Sequence, residues 1–138
     1  MRFLATGMDS HVLEWSQEKF GLAPKYCDMA LGVIEDGELV GSAFFHAWNG
    51  PDIELSYYGP NTLTLGIYRS LMRIAVNSFG VSRVTIRTAR NNKTMTRGIK
   101  KLGFEFEGIR HHGYGQYDAI MYGLYGEKLA RLAGKAVH

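Results

Sequence analysis

Between positions 46 and 101 the chain gathers most of the side chains that could do chemistry. The stretch GPNTLTLGIYRSLM, residues 59–72, runs from a turn into an amphipathic helix directly after a strand. A helix start in that position offers backbone N–H groups and the positive end of the helix dipole, an arrangement that holds phosphate. Gly66 would let an anion approach the backbone from Leu65 through Ile67 and Tyr68 to Arg69, and Arg69 adds positive charge. A lone glycine at such a place is equally an ordinary helix beginning. His46 has an ordinary pKa suited to proton transfer and could pair with Glu54 across a turn, although a histidine beside aromatic residues also serves packing. Asn92 stands where a helix opens and could cap it. His111 and His112 are chain neighbours, so on a strand they point to opposite faces, and the single cysteine, Cys27, lies in no ligand spacing; no metal is expected.

Arg83, Arg87, Arg90, Lys93, Arg97, Lys100 and Lys101 fall in one short window of a chain whose net charge is +3 and whose pI is near 9.0. Such a cluster is a solvated helix face, a contact for a phosphorylated cofactor, a site for an acidic substrate or a nucleic-acid footprint. Nucleic acid would favour aromatic residues interleaved with the charges, and the window has none before Phe104.

These residues need elements to position them. At 138 residues, 46% of them apolar, the chain fits one compact domain, 1–138. One cysteine and no apolar run of membrane-spanning length suit a soluble, cytoplasmic protein in a reducing compartment, away from membranes. MRFLAT reads as a short strand, and DSHVLEWSQEKFG as a helix with Asp9 or Ser10 as its N-cap. MALGVIEDGELVGSAFFHAW is a hairpin around Asp36–Gly37, the dipeptide favoured where a tight turn needs positive φ. IELSYY follows as a third strand, with Ile53, Leu55 and Tyr57 on one face and Glu54, Ser56 and Tyr58 on the other. The helix after residue 64 carries Ile67, Leu71, Ile74, Ala75 and Ser78 at helical spacing. SRVTIRTA is a strand, NKTMTRGIKKLG a helix with Met95, Ile99 and Leu102 on one stripe, and residues 104–125 two strands around the turn HHGYGQ. Residues 126–138 form a short helix or a frayed tail.

NNKTMTRGIKKLGFEFEG resembles the hallmark of the GNAT superfamily of acyl-CoA-dependent N-acetyltransferases, in which an Asn opens a helix ending in Leu-Gly-Phe, followed by a strand and Glu-Gly. Asn92, Leu102, Gly103, Phe104, Glu107 and Gly108 match at that spacing. YDAIMYGLY resembles the family's final strand, and the likeness, nearest to small members carried by phages and prophages, covers roughly residues 28–125. It implies an α/β (α+β) fold: a mixed, mostly antiparallel central sheet of six to seven strands flanked by three or four helices. It also implies an acyltransferase with acetyl-CoA as co-substrate and a primary amine on a small molecule or protein as acceptor. A homodimer is compatible with it.

The resemblance assigns roles residue by residue. Glu54 matches the general base, accepting the ammonium proton directly or through water; a strand alternating with the core would also leave it as an outward charge. The third meander strand, with Tyr57, would align the pantetheine. The family's phosphate loop is written Gln or Arg, two residues, Gly, one residue, Gly or Ala. Here those positions hold Leu63, Gly66 and Tyr68, so the Tyr68 ring either lies to the side of the helix or fills the pyrophosphate seat. Asn92 would lie near pantetheine and pyrophosphate, and Arg97 would meet the cofactor's phosphates. The family's usual Tyr acid is replaced by Ile99, which leaves Tyr57 or Tyr58 to donate a proton, or the thiolate to leave without one. Acceptor choice would rest on the loops 21–28 and 111–117. A nucleic-acid-associated protein of the same fold, or a binding module without catalysis, is the alternative.

Overall fold

The computed structural model describes residues 1–21, 26–59 and 61–134. Its elements are β1 (Arg2–Ala5), α1 (Asp9–Phe20), β2 (Met29–Glu35), β3 (Glu38–His46), β4 (Asp52–Tyr58), α2 (Leu65–Ser78), β5 (Arg83–Ala89), α3 (Lys93–Lys101), β6 (Glu105–Tyr114), β7 (Tyr117–Tyr125) and α4 (Gly126–Leu132). Asp36 and Gly37 both take positive φ, +52° and +85°, so β2 turns tightly into β3. The strands form one sheet in the order β1-β2-β3-β4-β5-β7-β6. Neighbours are antiparallel except β4 and β5, which run parallel and therefore need the α2 crossover between them. This is the mixed, mostly antiparallel sheet with helices that the sequence implies.

The main core lies on the α2 face. Leu31, Phe45, Leu55, Val84 and Leu124 from the sheet meet Leu71 and Met72 there, and burial of each such large side chain stabilises by about 1.5–3 kcal/mol. The buried stripe of α2 is Ile67, Tyr68, Leu71, Met72 and Ala75, while Ser78 is exposed. The stripe is thus rotated toward Tyr68 from the one expected. On the opposite face, α1 covers a small cluster of Val12, Ala30 and Phe44. Its attachment is partly polar. Ser42 Oγ donates to Ser16 Oγ at 3.0 Å, and the Ala30 amide donates to Asp9 Oδ2 at 2.9 Å. Asp9 is therefore spent on β2, and neither it nor Ser10 caps α1; Met8 occupies that position without a side-chain cap.

Two further expectations shift. Strand β6 continues to Tyr114, which pairs with Tyr117, so the β6–β7 turn is tighter than HHGYGQ. His112 takes φ +57° within an irregular stretch, which breaks the face alternation expected of the histidine pair. His111 Nδ1 lies 3.3 Å from Asp118 Oδ2, whereas the His112 ring meets the hairpin turn, its Nδ1 2.8 Å from the Gly115 carbonyl oxygen. Among the described residues no group of three or more His, Cys, Asp or Glu is placed to hold a metal, and no helix is long and apolar enough to cross a membrane.

One feature of the sheet matters most for the site. The β4–β5 ladder runs from Asp52↔Arg83 to Leu55↔Ile86 and stops, although each strand continues for three residues. Beyond that point β4 stays with β3, through Tyr58↔Ser42, and β5 stays with β7, through Ala89↔Ala119. Each arm keeps its outer partner, and a gap opens between them.

Candidate active site

The gap leads into a cleft of about 680 Å³ at the end of β4. One wall is the turn into α2. Gly59, at φ +133°, lets this turn lie against β3: a methyl group there would stand 2.8 Å from Gly41 Cα and from the Val40 carbonyl oxygen. Thr62 Oγ1 donates to the Gly59 carbonyl at 2.8 Å, so its 2.6 Å contact with Tyr57 Oη is a bond that Tyr57 donates. The side chain of Tyr57 thus fastens the turn while lining the cleft. Thr64 is the N-cap of α2; its hydroxyl accepts from the Ile67 amide at 3.2 Å and its carbonyl from the Tyr68 amide at 3.0 Å. Of the amides expected to face an anion, those of Ile67 and Tyr68 are therefore occupied. Leu65 and Gly66 belong to the first turn, where a helix has no acceptor of its own, and both are exposed. A methyl group on Gly66 would meet nothing nearer than Thr64 Oγ1 at 3.8 Å, so internal packing does not require glycine there. Its smallness matters only to something approaching from outside.

The Tyr68 ring leaves this seat open. It is 5% exposed and points inward under the parting strands, with its hydroxyl 3.5 Å from Met95 Sδ on α3. Burial, with Tyr57 close by, raises the pKa of the hydroxyl. The reason is helical register: Tyr68, Leu71, Met72 and Ala75 are spaced by three, four and seven, so they share the buried stripe.

The opposite face of the gap carries a row of polar side chains. Glu54 and His46 are direct cross-strand partners, with Glu54 Oε2 3.5 Å from His46 Nδ1 and 3.7 Å from Arg87 Nη2. His46 Nε2 lies 2.8 Å from Ser56 Oγ. Burial lowers the His46 pKa more than Glu54 raises it, so the ring is neutral near pH 7. With the ring proton on Nδ1 toward Glu54, Nε2 accepts from the Ser56 hydroxyl. Tyr58 follows on the same face, packed against Phe44 and Phe20 at ring-centroid distances of 5.9 and 6.2 Å, and it lines the cleft. Burial raises its pKa, so its hydroxyl keeps its proton through the neutral range. Tyr114, whose pKa burial pushes up to about 12, donates to the Arg87 carbonyl at 3.2 Å and braces the β5 arm.

Glu54 and His46 are therefore brought together beside Ser56, and Tyr57, Tyr58, Tyr68 and Asn92 line the cleft, whereas Glu54, His46, Leu65 and Gly66 are not among its lining residues. Asn92 caps α3, accepting from the Met95 amide at 3.2 Å, and also lines the cleft. Arg69 and Arg97 are exposed and stand outside the described lining residues. The cation cluster divides. Arg83 pairs with Glu107 and Asp52, Arg87 with Glu54, and Arg90 with Asp118 at 3.4 Å. Ser56, Thr62, Thr64 and Met95 were not read from the sequence as site residues; Thr64 was legible as a Thr directly before a helix. Of the loop at 21–28, residues 22–25 lie outside the described residues.

No protein-family model and no curated relative matches the chain. Solved structures do. A GCN5-related N-acetyltransferase from Brucella melitensis aligns with TM-score 0.64 and 20% identity, over 77% of this chain and 54% of its own. The spermidine/spermine N-acetyltransferase SpeG from Vibrio cholerae aligns with TM-score 0.75 and 12% identity, over 95% of this chain and 98% of its own. This chain has the GNAT fold. A structure described as a probable acetyltransferase, at TM-score 0.62 and 23% identity, is spanned over 62% of its length, so this chain is short beside some of its structural neighbours. At such identities the likeness is one of fold, and a fold hosts many activities. Activity has to be argued from the GNAT sheet's own gap.

Proposed function

We propose that this protein is an N-acetyltransferase that moves an acetyl group from acetyl-CoA to a primary amine within a ternary complex. The observation that carries the proposal is the parted β4–β5 pair, with free first-turn amides of α2 on one side and the Glu54–His46 pair on the other. The amides of Leu65 and Gly66 suit the cofactor's pyrophosphate, and the freed edge of β4 suits an extended pantetheine. Glu54, with neutral His46 beside it, takes the proton from the incoming ammonium. The amine nitrogen then attacks the thioester carbonyl, the C–S bond breaks, and the sulfur leaves with its electron pair. Tyr58, which holds its proton at neutral pH, donates it to the departing thiolate and is reprotonated by the second proton that the nitrogen sheds as the amide forms. Much of the rate comes from holding the two substrates together.

Calorimetry with acetyl-CoA tests the binding step: Gly66→Trp should weaken affinity at least about tenfold by filling the approach to the amides. Thiol release with a panel of primary amines tests the chemistry: Glu54→Gln should lower turnover by about 10²- to 10⁴-fold at unchanged acetyl-CoA affinity. Absence of acetyl-CoA binding, together with a salt-sensitive shift of labelled DNA, would favour the nucleic-acid alternative. That alternative loses weight because Arg83, Arg87 and Arg90 already face carboxylates.

A further inference from the structure

At the apex of the gap, where the ladder ends at Leu55 and Ile86, lies a second and much smaller space of about 20 Å³. It is room for about one water-sized group. Tyr57, Leu63, Tyr68 and Met95 line both this space and the large cleft, so the small space is the cleft's blind end. Its floor is the Tyr68 ring, which spans from α2 to Met95 on α3. Leu55 and Ile86 close it above, and being paired backbone neighbours they cannot move apart without breaking the ladder. Tyr68, Leu63 and Met95 are the parts of this enclosure that lie outside the sheet, and of the three Tyr68 is the large buried ring that reaches from α2 to α3.

Resting on the acyl-transfer reading above, we propose that Tyr68 is the residue that sets acyl-chain length, restricting the donor to a two-carbon acyl group. An acyl-CoA laid along the freed edge of β4 brings the far end of its chain toward the apex. An acetyl methyl ends at the mouth of the small space. Each further methylene must displace the ring, Met95 or the strand pair. The position of Tyr68 follows from its place in the buried stripe of α2, so the same register that clears the phosphate seat fills the acyl end.

The test compares the affinities of acetyl-CoA and butyryl-CoA by calorimetry in the wild-type chain, Tyr68→Phe, Tyr68→Leu and Tyr68→Ala. The wild-type chain and Tyr68→Phe should prefer acetyl-CoA by about tenfold or more for each added methylene. Tyr68→Leu, which keeps an apolar fill and is the variant best placed to fold if Tyr68→Ala does not, should cut that preference at least about tenfold. The ratio is taken within one variant, so partial unfolding cancels. Equal binding of the two donors by the wild-type chain, or an unchanged ratio in folded Tyr68→Leu, overturns the role of Tyr68 while leaving acyl transfer intact. Failure of every variant to bind either donor overturns the acyl-transfer reading and the gauge with it.

Discussion

Gly59→Ala is the sharpest test of how the cleft is built. Gly59 sits at φ +133°, and a side chain held at positive φ costs about 1–3 kcal/mol. The added methyl would also stand 2.8 Å from Gly41 Cα and from the Val40 carbonyl oxygen, both main-chain atoms of β3 inside the sheet. Neither can rotate away, so an overpacking cost of about 1–3 kcal/mol adds to the first. The sum is about 2–6 kcal/mol, a large part of the 5–15 kcal/mol that holds a typical domain together. The same strain would pull Thr62 from Tyr57 and from the Gly59 carbonyl and shift the start of α2. Equilibrium urea unfolding reads the first effect from the midpoint at constant slope, and acetyl-CoA titration of the folded protein reads the second. A loss of less than about 1 kcal/mol with unaltered acetyl-CoA binding would refute both the strain argument and the close seating of the turn on β3.

Gly123→Ala is the contrasting case: its methyl would meet the end of the Glu107 carboxylate at 2.5 Å and the Arg83 guanidinium, yet these are ends of flexible, part-exposed side chains. They can swing aside, so urea unfolding should show a change within about 1 kcal/mol, and a larger loss would mean that this ion pair is rigidly held. His46 gives a pH signature. Its folded pKa lies below the ordinary 6.5, mainly through burial, with Glu54 and Asp28 opposing and Arg87 assisting. The folded chain then binds this proton less readily than the unfolded one, so the stability it contributes is present above the unfolded pKa and lost as pH falls through the folded pKa. Between about pH 7.5 and about pH 5.5 the wild-type urea midpoint should drop further than that of His46→Gln, and equal drops would contradict the burial argument.

What the sequence made legible was what local chemistry dictates. Asp36–Gly37 announces its hairpin, the α2 stripe its helix, and the pattern from Asn92 to Gly108 its cap, helix and strand; each depends on residues a few positions apart. The Glu54–His46 pair was also reachable, because the meander puts both on one face beside a turn. The gap was not. Nothing in IELSYY or SRVTIRTA states that their ladder ends at Leu55 and Ile86, since that depends on which outer partner each strand keeps. The direction of the Tyr68 ring was legible in part: its three-and-four spacing to Leu71 and Met72 was available, but aligning Tyr68 to a phosphate loop drew attention to its chain neighbours instead. Asp9 misled for a related reason, as its carboxylate is claimed by the Ala30 amide, 21 residues away.

The position of the site follows from connectivity more than from any single residue. In a sheet of antiparallel neighbours, β4 and β5 form the parallel pair, and a parallel pair requires a crossover. The crossover here is α2, which begins seven residues after the last residue of β4, so its positive end must lie near the place where β4 finishes. Ligands gather outside the carboxyl ends of parallel strands for this reason. Under the proposed acyl transfer, three requirements would meet here: an anion seat from α2, a free strand edge from the parting of β4, and a proton acceptor from the face of β4 that α2 does not cover. Because one face of β4 carries Tyr57 toward α2 and the other carries Glu54, Ser56 and Tyr58, a donor and an acceptor can enter from opposite sides and meet in the gap. Moving β4 by one residue in register would exchange those faces, sending Glu54 into the core and Tyr57 outward, and would remove the site while leaving the order of strands unchanged.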